Sequence, residues 1–253
     1  SLFQLGIVLG IFITLFVNAR IQGLGDETWN AAAGWRWMFG AEVVPALFLL
    51  VTLIFVSESP RWLLQTGQEP AARRILEKIG GPIFAQTEVG AIQLADSQES
   101  GKFSELFGRQ FRRPLIIAVA LMAFSQLSGI NAIMYYSTKI FTTAGVGVKD
   151  SFAATTLIGL VNLLFTLVAV ALVDKAGRRL LLLVGLVAQV VALASVGWMF
   201  HAGINGVALL VAVVSFIAAF AMALGPIPWI MSSEIFPNRV RGRAMSVATF
   251  VIW

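Results

Sequence analysis

Six stretches of this 253-residue chain run for about twenty residues with almost no charge: 2–17, 37–56, 114–137, 152–173, 180–200 and 206–231. A seventh run opens near Ala244. A segment of that length and polarity matches the hydrocarbon thickness of a bilayer, and in lipid each backbone N–H and C=O must find its partner within the protein. These runs read as helices. Each is apolar all round, which suits lipid on one side and a neighbouring helix on the other. Composition agrees, with 58% hydrophobic and 12% charged residues, where a soluble domain carries about 25% charged. The expected fold class is an all-α polytopic membrane protein.

The charges give the topology. Fourteen of the eighteen Lys and Arg residues lie in 57–113, 173–179 and 232–243. The positive-inside rule makes those loops cytoplasmic and the cell membrane the expected location. Basic residues confined to loops between spans do not describe a nucleic-acid surface. The chain has no cysteine and a single histidine, His201. It therefore offers no thiolate or multi-histidine metal site, and no nucleophile–base pair stands out. Neither an enzyme nor a cofactor is expected.

Three regions follow: 1–56 with two spans, 57–113 as a cytoplasmic helical linker, and 114–253 with four spans and part of another. Within the linker, Pro70 suits a first helical turn, and Ala71, Ile75 and Ile79 recur every four residues. Gly80-Gly81 supplies a stop, and 87–98 is a second helical candidate. The chain opens inside one apolar run and stops inside another, which is expected of a segment of a longer protein.

Two spans carry breaks. In 225–229, Gly225, Pro226 and Pro228 weaken or remove helical hydrogen bonds, and Trp229 follows. A break at membrane depth is tolerated where protein or a water-lined cavity satisfies the freed groups. In the third span Gly129 separates Gln126 from Asn131, and a bend there lets both reach one cavity.

Five motifs occur in order: SESPRWL at 57–63, QLSGINAIMYY at 126–136, DKAGRR at 174–179, GPIPW at 225–229 and EIFPNRVRGR at 234–243. Together they resemble the sugar porter family of the major facilitator superfamily over essentially the whole chain. The resemblance implies a partial major facilitator fold, family helices five to ten and the start of eleven. It also implies two bundles that rock about a central monosaccharide site. In the resembled family the positions of Gln126, Asn131, Asn162 and Trp229 contact sugar, and Gln4 matches a further sugar-binding glutamine. The chemistry fits: amides donate and accept without charge, and an aromatic ring covers the apolar face of a hexose or pentose. A lone amide in a span also serves as glue between helices. Tyr135 and Tyr136 are gate candidates, or belt aromatics. Ser125 stands where many members carry a second glutamine, so one sugar hydrogen bond is expected to be lost or carried by water. Ile252 and Ile11 replace polar residues of some relatives.

The charged motifs place Glu58, Arg61, Asp174, Arg178, Arg179, Glu234 and Arg241 on the cytoplasmic rim. The resemblance makes them a latch between bundles; as isolated surface charges they are worth little. Glu42, an acid within the second span, is a candidate for proton coupling, or snorkels to the interface near Arg36. Proton symport and facilitated diffusion both fit. A non-transporting sugar sensor, or a carrier of a polyol or other small polar solute, are the alternatives.

Overall fold

A computed structural model of the chain describes residues 2–98, 103–143, 145 and 147–252. The described residues are helical, joined by short turns. Helix α1 (Leu2–Gln22) leads into a tight corner. There the Asp26 carboxylate accepts from the Trp29 N–H at 2.7 Å and starts α2 (Glu27–Trp29). A π-helical turn, Asn30–Gly34, joins it to α3 (Trp35–Ala41), and α4 (Val43–Phe55) completes one apolar rod from Glu27 to Phe55. The sequence places the start of this span at 37. The helix begins ten residues earlier because a cap, which hydropathy does not weigh, sets its first turn.

The linker contains α5 (Pro60–Gln65) and α6 (Glu69–Gln98). Gly81 interrupts α6 at φ 85°, so the expected stop is present, and Pro82 restarts the helix at once. The expected second helix over 87–98 therefore begins several residues early. Leu76, Ala85 and Val89 bury a small core between the two arms.

The remaining helices are α7 (Arg112–Leu127), α8 (Ile130–Thr143), α9 (Val148–Ala176), α10 (Arg178–Ala202), α11 (Val207–Met222), α12 (Ile227–Ile235) and α13 (Asn238–Ile252). Among the described residues six helical runs are long and apolar enough to cross a membrane, as the sequence predicts. Two of them, α7–α8 and α11–α12, are broken. The seventh run belongs to α13, which starts at Asn238; its basic first turn hides that start from a hydropathy reading.

Packing divides along the breaks. Below Gly129, α7 lies on α12 and α13, where Met122, Leu115, Phe236, Val240 and Ala244 form one core. Above it, α8 leans on α9 and α11, where Ile133, Phe141, Ile158, Phe216 and Ile217 form another. The seam between the first span and the rest runs along α1 and α9. Gly159 lets the backbones close up, since a Cβ there would meet Leu15 Cδ1 at 2.8 Å and Phe12 Cα at 3.4 Å. Thr156 Oγ1 donates across the seam to the Leu15 carbonyl at 3.2 Å. By contrast, α4 has no buried residue, as expected of a helix turned to lipid.

Candidate solute-binding site

The two breaks position the predicted amides. Gly129 takes φ 86°, a left-handed conformation that an L side chain resists. It ends α7 just after Gln126 and restarts the chain as α8 just before Asn131. Both side chains are half-buried. Asn162 is 6% exposed on the inner stripe of α9, with Thr155, Ile158 and Thr166.

Register brings Asn131 and Asn162 to one depth. Helices α8 and α9 pack antiparallel, pinned by a 3.1 Å hydrogen bond between the Thr138 and Thr155 hydroxyls. Asn131 lies seven residues before Thr138 and Asn162 seven after Thr155. Seven residues is close to two full turns, so each amide shares the face and height of the other. Gln126 lies five residues before Asn131, across the Gly129 break. Its Nε2 donates to the Ile252 carbonyl at 2.5 Å, so the α7 amide also holds α13.

Trp229, on α12, is half-buried against the core of Met122 and Phe236. Gln4 is half-buried on α1. The α1–α9 register puts it opposite Leu167, about 7 Å along the helix axis from Asn162. Tyr135 and Tyr136 are exposed, at 75% and 63%.

Ser125 has a role that its sequence does not reveal. Only 4% exposed, it donates its hydroxyl to the Leu224 carbonyl at 3.0 Å. Leu224 lies in the break between α11 and α12, where a carbonyl has lost its helical partner. Sequence reading expects this position to lose a solute contact; the structure uses the hydroxyl to close the broken span instead. A short hydroxyl residue facing a Gly-Pro break is the signal that points to this.

At one end of the bundle, Arg178 pairs with Glu234 at 2.7 Å and with Asp174 at 3.1 Å. These contacts join α10 to the end of α12, both within 114–253. Arg241 Nε donates to the Phe236 carbonyl at 3.3 Å and caps α12. Glu58, in the connection between α4 and α5, and Arg61 and Arg179 are exposed. Glu42 is exposed at the α3–α4 junction and forms no ion pair with Arg36 among the described residues. Arg36 instead lies over the Trp35 ring, 4.3 Å from its centroid.

Two cavities, of about 320 and 360 Å³, open at the opposite end, and neither is lined by the predicted amides. Among the described residues no group of acids and histidines could hold a metal. Sequence reading overlooks Gln22, Asn30 and Trp35, which line the first cavity. The spacing of Asn30 and Gly34, one π turn apart, is the available clue.

Six apolar spans among the described residues, two of them broken, define a multi-pass helical membrane protein. A family model described as "Sugar (and other) transporter" matches residues 1–253, and the chain belongs to that family, within the major facilitator superfamily. It is 38% identical to the arabinose-proton symporter of Bacillus subtilis over 255 residues, covering 100% of this chain and 55% of that protein. It is 36% identical to the D-xylose-proton symporter of Escherichia coli K12, covering 99% of this chain and 51% of that one. A partially occluded, inward-open structure of the E. coli xylose transporter XylE superposes with a TM-score of 0.81 at 34% identity, over 99% of this chain and 54% of that one. The chain thus spans about half the length of the curated relatives it matches.

Proposed function

We propose that this chain is part of a carrier that moves a monosaccharide, a pentose or hexose, across a cell membrane by alternating access with proton symport. The observation that carries this is the shared depth of Asn131 and Asn162, with Gln126 across the Gly129 break. Uncharged amides at bilayer depth are costly unless they serve a solute or each other. Here they stand beside a bent helix, with Gln4 about 7 Å along the helix axis from Asn162. Relatives whose names state arabinose-proton and xylose-proton symport support the cargo and the ion.

In this reading residues 1–56 close an N-terminal bundle, 57–113 form the cytoplasmic linker, and 114–253 form most of a C-terminal bundle. The basic loops face the cytoplasm, and Tyr135 and Tyr136 shield the solute from the outside. The Asp174–Arg178–Glu234 cluster, with Glu58, Arg61, Arg179 and Arg241, stiffens the inner rim and favours one state of the rocking cycle. Glu42 is the acid on this chain available for proton coupling.

Counterflow of labelled xylose, arabinose and glucose by the full-length carrier, with and without a proton gradient, tests cargo and coupling together. Absence of saturable flux with every sugar rejects the reading. Gln126→Ala is expected to leave membrane insertion intact and weaken sugar binding by about 1–3 kcal/mol, the cost of a stranded buried partner. Binding at wild-type affinity in that variant rejects the site.

A further inference from the structure

The first cavity, about 320 Å³, lies between α1, the π turn, α3 and the first turns of α9, at the end opposite the Arg178–Glu234 pair. Its walls bring together an amide (Gln22), a carboxylate (Glu27), an indole (Trp35) and the ring of Phe152.

How the corner is built explains the grouping. Asn30 Nδ2 donates to the carbonyls of Gln22 at 2.9 Å, Gly25 at 3.2 Å and Asp26 at 2.9 Å, tying the end of α1 to the start of the next rod. Its Oδ1 is buried without a partner and faces Gly34, where any Cβ would collide with it. The extra residue of the π turn turns the helix face, so Trp35 lines the same cavity as Glu27 instead of pointing away. Arg36 covers one side of the indole, 4.3 Å from its centroid, and Trp35 remains 46% exposed.

Gln22 is the telling residue. It is only 8% exposed, lines the cavity, and its side-chain amide has no hydrogen-bond partner among the described residues. The residue is largely buried while its amide still reaches the cavity, where a solute hydroxyl can take the place of water. An unpaired amide, a carboxylate acceptor and an aromatic surface are together the chemistry that recognises a polyhydroxylated ring. The volume accommodates one monosaccharide with a few waters.

We propose that this cavity is a second, weaker monosaccharide subsite at the outer mouth of the carrier, held by Gln22, Glu27 and Trp35. The proposal rests on the transport reading above for the kind of solute. It adds a position on the outer side of the path, separate from the amides around Gly129. One wall belongs to α1 and α3 and the other to α9, so the subsite changes shape when the two bundles rock. Sugar is therefore held there before it reaches the central amides.

The test is a ligand-observed NMR titration of the full-length protein in lipid nanodiscs with D-xylose. Two classes of binding are expected. Gln126→Ala weakens the tighter class and spares the weaker. Glu27→Gln, Trp35→Ala and the volume-conserving Gln22→Leu each weaken the weaker class by about five- to tenfold, the scale of one lost hydrogen bond, while the tighter class persists. Thermal unfolding of each variant confirms that it is folded. A single class in the wild type overturns the subsite while leaving the carrier reading intact. Parallel loss of both classes in the three variants shows that the cavity acts through packing, and also overturns it. No xylose, arabinose or glucose binding in the wild type defeats the carrier reading and the subsite together.

Discussion

Two apolar helices of this molecule are interrupted, and the interruptions are built differently. The break between α11 and α12 is boxed in. Ala223, Leu224, Gly225 and Pro226 are all buried. Ser125 satisfies the Leu224 carbonyl from α7, and Gly185 of α10 packs so closely on Ala223 that any Cβ at 185 would collide. The break between α7 and α8 rests on one glycine. Gly129 holds φ 86° and a Cβ built there meets nothing within 4 Å. The proline break is a fixed corner, held by contacts on two sides. The glycine break has space around it, and the predicted solute amides cluster beside it. Rigidity and room are thus assigned to different spans of one bundle.

That contrast can be broken in order of expected effect. Gly185→Val forces a side chain into the corner and should destabilise the protein by about 3 kcal/mol, the upper range for overpacking. Thermal unfolding in detergent measures it, and an unchanged midpoint would mean that the corner yields. Ser125→Ala strands the buried Leu224 carbonyl and should cost about 1–2 kcal/mol in the same assay. Ser125→Thr should restore most of it by keeping the hydroxyl. Gly129→Ala meets no clash and pays only for the left-handed backbone, about 1 kcal/mol. Its mark should be on transport rate more than on stability, because the bend beside the amides is disturbed. A rate equal to the wild type would remove the distinction between corner and bend. Neutralising Arg178 and Arg179 together should barely move stability, since such rim pairs are partly exposed. It should shift accessibility labelling toward the inward-open form; unchanged labelling rejects the latch.

How much of this was legible in sequence depends on range. Apolar length fixes the six spans, and the punctuation at Gly129, Gly225, Pro226 and Gly81 marks the interruptions, because backbone chemistry is local. The pairing of Asn131 with Asn162 at one depth was not legible, since it depends on the Thr138–Thr155 contact between helices. Nor was the duty of Ser125, whose partner lies 99 residues away. The early start of the second span escaped because a carboxylate cap and one asparagine set it, and hydropathy registers neither. The cavity beside the π turn escaped for the same reason: its residues read as a polar connection until that turn gathers them.

The close approach at Gly159 has a mechanical consequence. Where two helices nearly touch, relative rotation moves the contact least and the ends most, so that point serves as a fulcrum. Helix α9 has 29 residues, and Gly159 divides it unequally, about 17 Å from one end and 26 Å from the other at 1.5 Å per residue. A tilt of about 10° about that point carries the shorter arm some 3 Å and the longer arm over 4 Å, by the same rise per residue. The charged rim at the end of the longer arm travels farther than the cavity mouth at the other. In the rocking cycle proposed above, a modest opening at the cavity mouth is thereby geared to a larger one at the charged rim.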